Sequence, residues 1–283
     1  MYGLHLRSPS ILAARVLKGR GLGAAKIGID KLYVDASFVD GLTAALPECE
    51  ISDGTRILSD LRAVKSVEEI ECLSEAAKIT EEAFEAVTPI IKEGTRLIEI
   101  KQKITQEMTQ QSGGEVGHIT LKVGPAKLPP GEKLEAGDIL CVDCGAKFRN
   151  YRADISRQWA IGKVPATEWD TMEVISAAVD AMRGKLRPGT KFSEIYRAGN
   201  DIMAKVNPRY KGMLLMGHSL GIESHERPYI SPDEEKTLEP GMVLCLEVPH
   251  KGTYVFNCED EYLITQDGYK IMTARTSSRL KQV

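Results

Sequence analysis

Residues 134–143 read LEAGDILCVD, and residues 238–247 read LEPGMVLCLE. The second line lies 104 positions after the first, and each ends on a carboxylate, Asp143 and then Glu247. Another acid follows each at nearly the same distance, Asp154 eleven residues on and Glu259 twelve residues on. The runs GDILCVD and GMVLCLE have the near-continuous apolar character of strands buried on both faces. Burial does not explain an acid at the inner end, because a lone buried carboxylate is strongly penalised. Several such acids around a cation escape that penalty. The repeat therefore points to one metal site built where two half-domains meet.

The repeat extends outward from these strands. IIKEGTRLIEI (90–100) is matched by KLRPGTKFSEI (185–195), aligning Gly94 with Gly189, Thr95 with Thr190, and Glu99-Ile100 with Glu194-Ile195. The two threonines are expected to cap the helices that follow. Upstream, Ser66-Val67-Glu68-Glu69 fits a capping box. Ile70, Leu73, Ala77, Phe84, Val87 and Ile91 then keep helical spacing, and Pro89 is expected to kink or end that helix. Each half reads helix, turn, helix, strands, over roughly 66–164 and 165–283, which is an α+β arrangement. In residues 1–62, AAKIGID (24–30) and LYVD (32–35) read as strands and 37–47 as a helix ending at Pro47. That segment is short for an independent domain. It reads as a truncated α/β piece before a unit spanning 63–283.

Composition narrows the classes. A chain of 283 residues makes one large domain, or one plus a fragment. Apolar content of 42% and charged content of 27% are ordinary for a globular protein. A net charge of −3 without a Lys/Arg run gives no reason to expect a nucleic-acid partner. No apolar run approaches the ~20 residues of a membrane span, and the first residues lack the pattern of a secretory signal, so a cytoplasmic location is expected. Six cysteines in a chain this long do not form a disulfide framework. Cys141 and Cys144 read either as buried strand residues or as a zinc or redox pair.

The candidate ligands are Asp143, Asp154, His218, Glu247 and Glu259. Four carboxylates and one imidazole suit Mn, Fe, Co or Zn. They exceed what one catalytic ion needs while keeping a position open, and two ions ~3.5–4 Å apart would use all five.

Several segments resemble the creatinase/methionine aminopeptidase/prolidase group, whose fold is called pita-bread, over residues ~60–283. VDCGAKFRNYRADISRQW (142–159) is similar to that family's D-x-G…Y-x-x-D-x-[ST]-R segment, and MGHSLGIESHERP (216–228) to its G-H-x-x-G…H-E-x-P segment. LEPGMVLCLEVP (238–249) and CEDEYLITQDG (258–268) are similar to its P-G-M…E-P and final E-D…V-T-x-x-G segments. The resemblance implies a pita-bread fold preceded by a partial creatinase-type N-terminal domain, 1–62. It implies a pair of divalent ions, manganese first, with Co, Zn or Fe as alternatives. Asp143 would chelate one ion, Asp154 and Glu259 would bridge, and His218 and Glu247 would bind the other. Glu247 would also move the proton of the attacking water. His225 would hydrogen-bond the substrate or the tetrahedral intermediate. The implied activity is a Xaa-Pro aminopeptidase or dipeptidase acting near a free N-terminus, on short peptides, in a homodimer.

The chain also departs from the family's pattern. The family's upstream active-site histidine belongs in a P-H segment, where VGPAKLPPGEKLEAGD (123–138) has Pro129-Pro130. His118 is the nearest histidine; in a strand over 117–123 it would share a face with Thr120 and Lys122, as a substitute site residue or as a structural or surface one. Asn257 replaces an arginine two residues before the last metal acid, so a guanidinium that would orient ligands is missing. Ser219 stands where glycine is commoner. These departures bear on proline specificity and keep two other readings open. One is a same-fold metalloenzyme on a small non-peptide substrate, similar to dimethylsulfoniopropionate lyases. The other is a non-catalytic pita-bread binding module. Trp159 reads as pocket wall or core, Arg227 as an anion contact or a solvated loop charge, and His5 and His250 as structural or surface residues.

Overall fold

The computed structural model describes residues 8–111, 113–124, 132–206, 215–252 and 254–283. The chain divides into two compact units, the first ending at Arg62 and the second spanning Ala63–Val283. In the first unit, helix α1 (Pro9–Gly19), strand β1 (Lys26–Ile29), helix α2 (Ala36–Ala45), strand β2 (Glu50–Asp53) and helix α3 (Thr55–Ala63) follow one another. β1 and β2 pair in parallel, and Ala14, Ile29, Leu42 and Leu46 form the small core. LYVD is a turn, not the expected strand. Asp35 accepts a hydrogen bond from the Phe38 amide at 2.7 Å and caps α2, a use of Asp that competes with extended structure. The second strand of this unit is β2, which no sequence signal singled out.

The second unit begins with α4 (Val67–Val87) and α5 (Leu97–Gln110), then β3 (Gly114–Gly124), β4 (Ile139–Phe148), β5 (Tyr151–Arg152) and β6 (Ile155–Ala160). Its other half has α6 (Ala166–Arg183), α7 (Phe192–Val206), β7 (Gly217–Ser219), β8 (Glu226–Tyr229), β9 (Val243–Lys251), β10 (Val255–Ile264), β11 (Tyr269–Ile271) and β12 (Leu280–Gln282). The expected capping box is present: Ser66 Oγ accepts from the Glu69 amide, and the Ser66 amide donates to Glu69 Oε2 at 2.7 Å. α4 ends at Val87, and Pro89 lies in the 3₁₀ turn that follows.

The repeat is visible bond by bond. Gly94 and Gly189 have φ of 84° and 85°, a region open to glycine at little cost. The Gly94 amide donates to the Leu134 carbonyl at 2.8 Å, and the Gly189 amide to the Leu238 carbonyl at 2.9 Å. In return the Leu134 and Leu238 amides donate to the carbonyls of Thr95 and Thr190 at 2.9 and 2.8 Å. The two threonines therefore clamp the start of each repeated line and are not the expected helix caps. Arg96 is the N-cap of α5, and α7 starts at Phe192.

Among the described residues, ten strands make the main sheet, ordered β3-β4-β6-β10-β9-β7-β8, with β5, β11 and β12 pairing at β4, β10 and β6. Each half has its own apolar core. Leu140, Val142, Cys144 and Ala146 of β4 pack with Ile79 and Phe84 of α4 and Ile100 and Ile104 of α5. Leu244, Leu246 and Val248 of β9 pack with Ile175 and Val179 of α6 and Phe192 and Ile195 of α7. Side chains alternate along a strand, so Asp143 and Glu247, at odd positions among these even ones, face away from the helices. The helical layers thus leave one sheet face to the acids.

Candidate metal centre

Cross-strand register brings the acids together. Asp143 lies opposite Thr120 of β3 and Ser156 of β6, Ser156 lies opposite Glu259 of β10, and Glu259 lies opposite Glu247 of β9. Paired strands run about 4.8 Å apart, so this is one row of side chains on one face. Asp154, two residues before Ser156, shares that face. His218 enters from β7, whose register places it opposite Cys245.

On the first half's side, the centre carries cations. His118 Nε2 lies 3.1 Å from Asp143 Oδ1 and 3.1 Å from Asp154 Oδ1. Lys122 Nζ lies 3.0 Å from Asp143 Oδ2. Burial alone would raise the Asp143 pKa, but the hydrogen bond from His118 and the Lys122 charge hold it below the ordinary value. Burial opposes charge on His118, yet its two carboxylate partners raise it to about 9. His118 is therefore a site residue. Lys122, which the sequence placed only on the same strand face, is one as well. The Pro129-Pro130 stretch lies outside the described residues, as does His5.

The second half's acids have neutral partners instead. Glu259 Oε2 accepts from Ser156 Oγ at 2.7 Å and from Asn257 Nδ2 at 2.8 Å, and Cys245 Sγ lies 3.2 Å from Oε1. Asn257 Nδ2 also reaches Ser156 Oγ at 3.0 Å and Glu247 Oε2 at 3.5 Å. Asn257 thus orients two acids from the position where the resemblance expected arginine, without bringing a charge. Burial, together with the charges of Asp154 and Asp143, raises Glu247 to about 7. Burial and the neighbouring acids raise Glu259 well above the ordinary value.

His218 provides the test of whether a cation fits. Its Nδ1 lies 3.0 Å from the Ser219 carbonyl oxygen, so Nδ1 donates and Nε2 carries the lone pair. That Nε2 is buried without a hydrogen-bond partner. It lies 4.0 Å from each of Asp154 Oδ2, Glu247 Oε1 and Glu259 Oε1. A buried imidazole nitrogen facing acids beyond hydrogen-bond reach suits a divalent ion, and His218 forms one compact donor group with Cys245 and Glu259 and another with Asp154 and His225. Burial lowers the His218 pKa to about 4, which keeps the imidazole neutral and able to ligate. The residues fit the implied metal.

Around these groups lies a supporting layer. His225 stacks on His218 with ring centroids 3.9 Å apart, and its Nδ1 lies 3.9 Å from Asp154 Oδ2. Its side chain is 52% exposed, so it is open to a substrate where His218 is not. The next residue, Glu226, is buried and pairs with Lys65 at 3.4 Å. Glu261 Oε1 accepts from the Asp154 amide at 2.7 Å. Arg157 is buried and bonds the carbonyls of Ser156 and Glu259 and the Asp260 carboxylate, fixing the row from behind.

Trp159 belongs to the core and lies 6.0 Å from the Phe84 ring. Burial pushes the Cys141 thiol up to about 12 and Cys144 well above its ordinary value. Their positions along β4 put the two thiols on opposite faces, so the strand reading holds for both. His250 is half-buried, 5.8 Å from the Phe256 ring. The exposed Arg227 lies over the Tyr229 ring at 5.2 Å. Among the described residues, no helix is long and apolar enough to cross a membrane.

Known proteins are similar to this chain in sequence and fold. The model of "Metallopeptidase family M24" matches residues 71–266. An uncharacterized peptidase of Bacillus subtilis, YqhT, is 29% identical over 263 residues, 89% of this chain and 73% of its own length. A Xaa-Pro dipeptidase of Pyrococcus furiosus is 28% identical over 228 residues, 77% of this chain and 65% of its own. Among solved structures, a Xaa-Pro dipeptidase from Bacillus anthracis superposes with a TM-score of 0.84 at 25% identity, covering 97% of this chain and 78% of that one. A dipeptidase from Pyrococcus horikoshii has a TM-score of 0.86 at 22% identity, covering 99% and 80%, and shows the same fold.

Proposed function

This chain belongs to metallopeptidase family M24 and is a metal-dependent hydrolase with the pita-bread fold; from that premise we propose that it is a Xaa-Pro dipeptidase or aminopeptidase. The observation that carries the proposal is the unpartnered His218 Nε2, facing three carboxylates at 4.0 Å. The relatives' names supply the substrate class. Neither a small non-peptide substrate nor a non-catalytic module is favoured by them.

In this reading Asp143 would hold one ion, His218 and Glu247 would hold the other, and Asp154 and Glu259 would serve both. When bound, a pair of divalent ions lowers the pKa of a water and polarises the scissile carbonyl. Glu247 takes the proton of the attacking water at its carboxylate and passes it to the leaving nitrogen as the C–N bond breaks. His225, exposed beside His218, donates to the oxygen on which negative charge develops. Asn257 holds Glu247 and Glu259 in place.

We assign the catalytic unit to 63–283 and read 1–62 as belonging to a creatinase-type N-terminal domain. The oxygen-rich donor set favours manganese, with Co, Zn or Fe as alternatives. The family resemblance supports a homodimer in the cytoplasm. The test is hydrolysis of a panel of di- and tripeptides by chain loaded with Mn²⁺ or Co²⁺. Cleavage of Xaa-Pro peptides is expected; a metal-loaded chain that leaves the whole panel intact would overturn the proposal.

A further inference from the structure

The five acid and histidine donors leave the two halves unequal: the second contributes a histidine, and the first none. His118 and Asp154 redress this. His118 Nε2 stands 3.1 Å from both Asp143 Oδ1 and Asp154 Oδ1, and these three groups form a possible ion-holding set. Asp154 divides its oxygens, with Oδ1 toward His118 and Oδ2 toward His218 at 4.0 Å. Lys122 occupies Asp143 Oδ2 at 3.0 Å, which leaves Asp143 one oxygen to offer toward His118. A single Nε2–H cannot point well at two acceptors, whereas a cation binds all three atoms at once. His118 Nδ1 is buried without a hydrogen-bond partner, so a charged imidazolium would keep one of its two donors unpaired at a desolvation cost.

Topology makes the pairing of halves explicit. β3 flanks β4 at one side of the sheet as β7 flanks β9 at the other. Each flanking strand carries one histidine toward the acid row, His118 on β3 and His218 on β7.

We propose that His118 is a metal ligand, completing with Asp143 and Asp154 the ion position of the first half so that each ion has one histidine. The inference rests on the dinuclear reading above.

The test needs no substrate. Calorimetric titration of metal-free chain with Mn²⁺ is expected to give two ions per chain. In His118→Ala one of the two should bind roughly tenfold or more weakly while the other is unchanged. In wild-type chain labelled with ¹⁵N-histidine and loaded with Mn²⁺, electron–nuclear double resonance should show two distinct coordinated imidazole nitrogens. This second measurement does not depend on the variant folding. Two bound ions with a single coordinated imidazole, or unchanged or tighter binding in His118→Ala, would overturn the proposal and make His118 an internal counter-cation. Either of those results leaves the peptidase reading standing. A wild-type chain that binds no ion would overturn both.

Discussion

The two halves of the sheet carry the same line of sequence and opposite electrostatics. In the first, Asp143 sits between His118 and Lys122, and their charges hold it below the ordinary carboxylate value. In the second, Ser156, Asn257 and Cys245 hydrogen-bond to the acids without bringing a charge, and burial raises both Glu247 and Glu259. The duplication copied the clamp from Gly94 to Leu134 into Gly189 and Leu238, and with it the strand and its acid. It did not copy the charges on the flanking strand. A backbone repeat fixes where an acid goes, while its charge state depends on residues that the repeat leaves free to differ.

The largest expected effect comes from removing the acid that both halves share. Asp154→Asn should lose bound metal at both positions and bring peptidase activity to background, measured by elemental analysis and dipeptide hydrolysis on one preparation. Loss of a single ion with activity retained would break the idea of a joint centre. Glu247→Gln comes next. Its kcat should fall by about 10³-fold, within the range for a general acid–base group, because the amide cannot accept the proton of the water. A fall confined to KM would assign that proton elsewhere. His225→Ala should lower kcat by roughly 10²-fold while leaving metal content and melting temperature near wild type, since His225 is exposed; a large loss of bound metal would make it a ligand instead.

A smaller effect sharpens the electrostatic contrast. In the metal-free chain, folding favours protonated Glu247, so its contribution is full below 4.5 and is lost as pH rises through about 7. Folding also favours protonated His118, a contribution lost as pH rises from 6.5 through about 9. His218 acts in the opposite sense, but only between about 4 and 6.5. Above pH 6.5 the metal-free chain should therefore lose stability up to about pH 9, by several degrees in Tm. Saturating metal should reverse the slope, because ligands must shed protons to bind. Parallel melting curves with and without metal across that window would count against the contrast.

What the sequence made legible was local or repeated. The capping box at Ser66 is local chemistry, and it is present. The acid row followed from two strands of equal character, because alternation puts Asp143 and Glu247 on one face. Less legible was whatever depends on which strand lies beside which. The approach of His118 and Lys122 to Asp143 comes from the pairing of β3 with β4, and nothing in either segment alone states that register. The same holds for Asn257. Its sequence context marked a missing arginine, while its bonds to two acids appear only with β9 alongside β10. Thr95 and Thr190 looked like caps because Ser and Thr before a helix commonly are. Their carbonyls are instead taken up by the amides of Leu134 and Leu238, 39 and 48 residues on.

The central claim is that the two halves build one dinuclear centre, and anomalous diffraction from crystals grown with Mn²⁺ tests it most directly. Two anomalous peaks are expected, one against Asp143, Asp154 and His118, the other against His218 and Glu247, with Asp154 and Glu259 touching both. A single peak, or two peaks with Asp154 and Glu259 bound to neither, would contradict it.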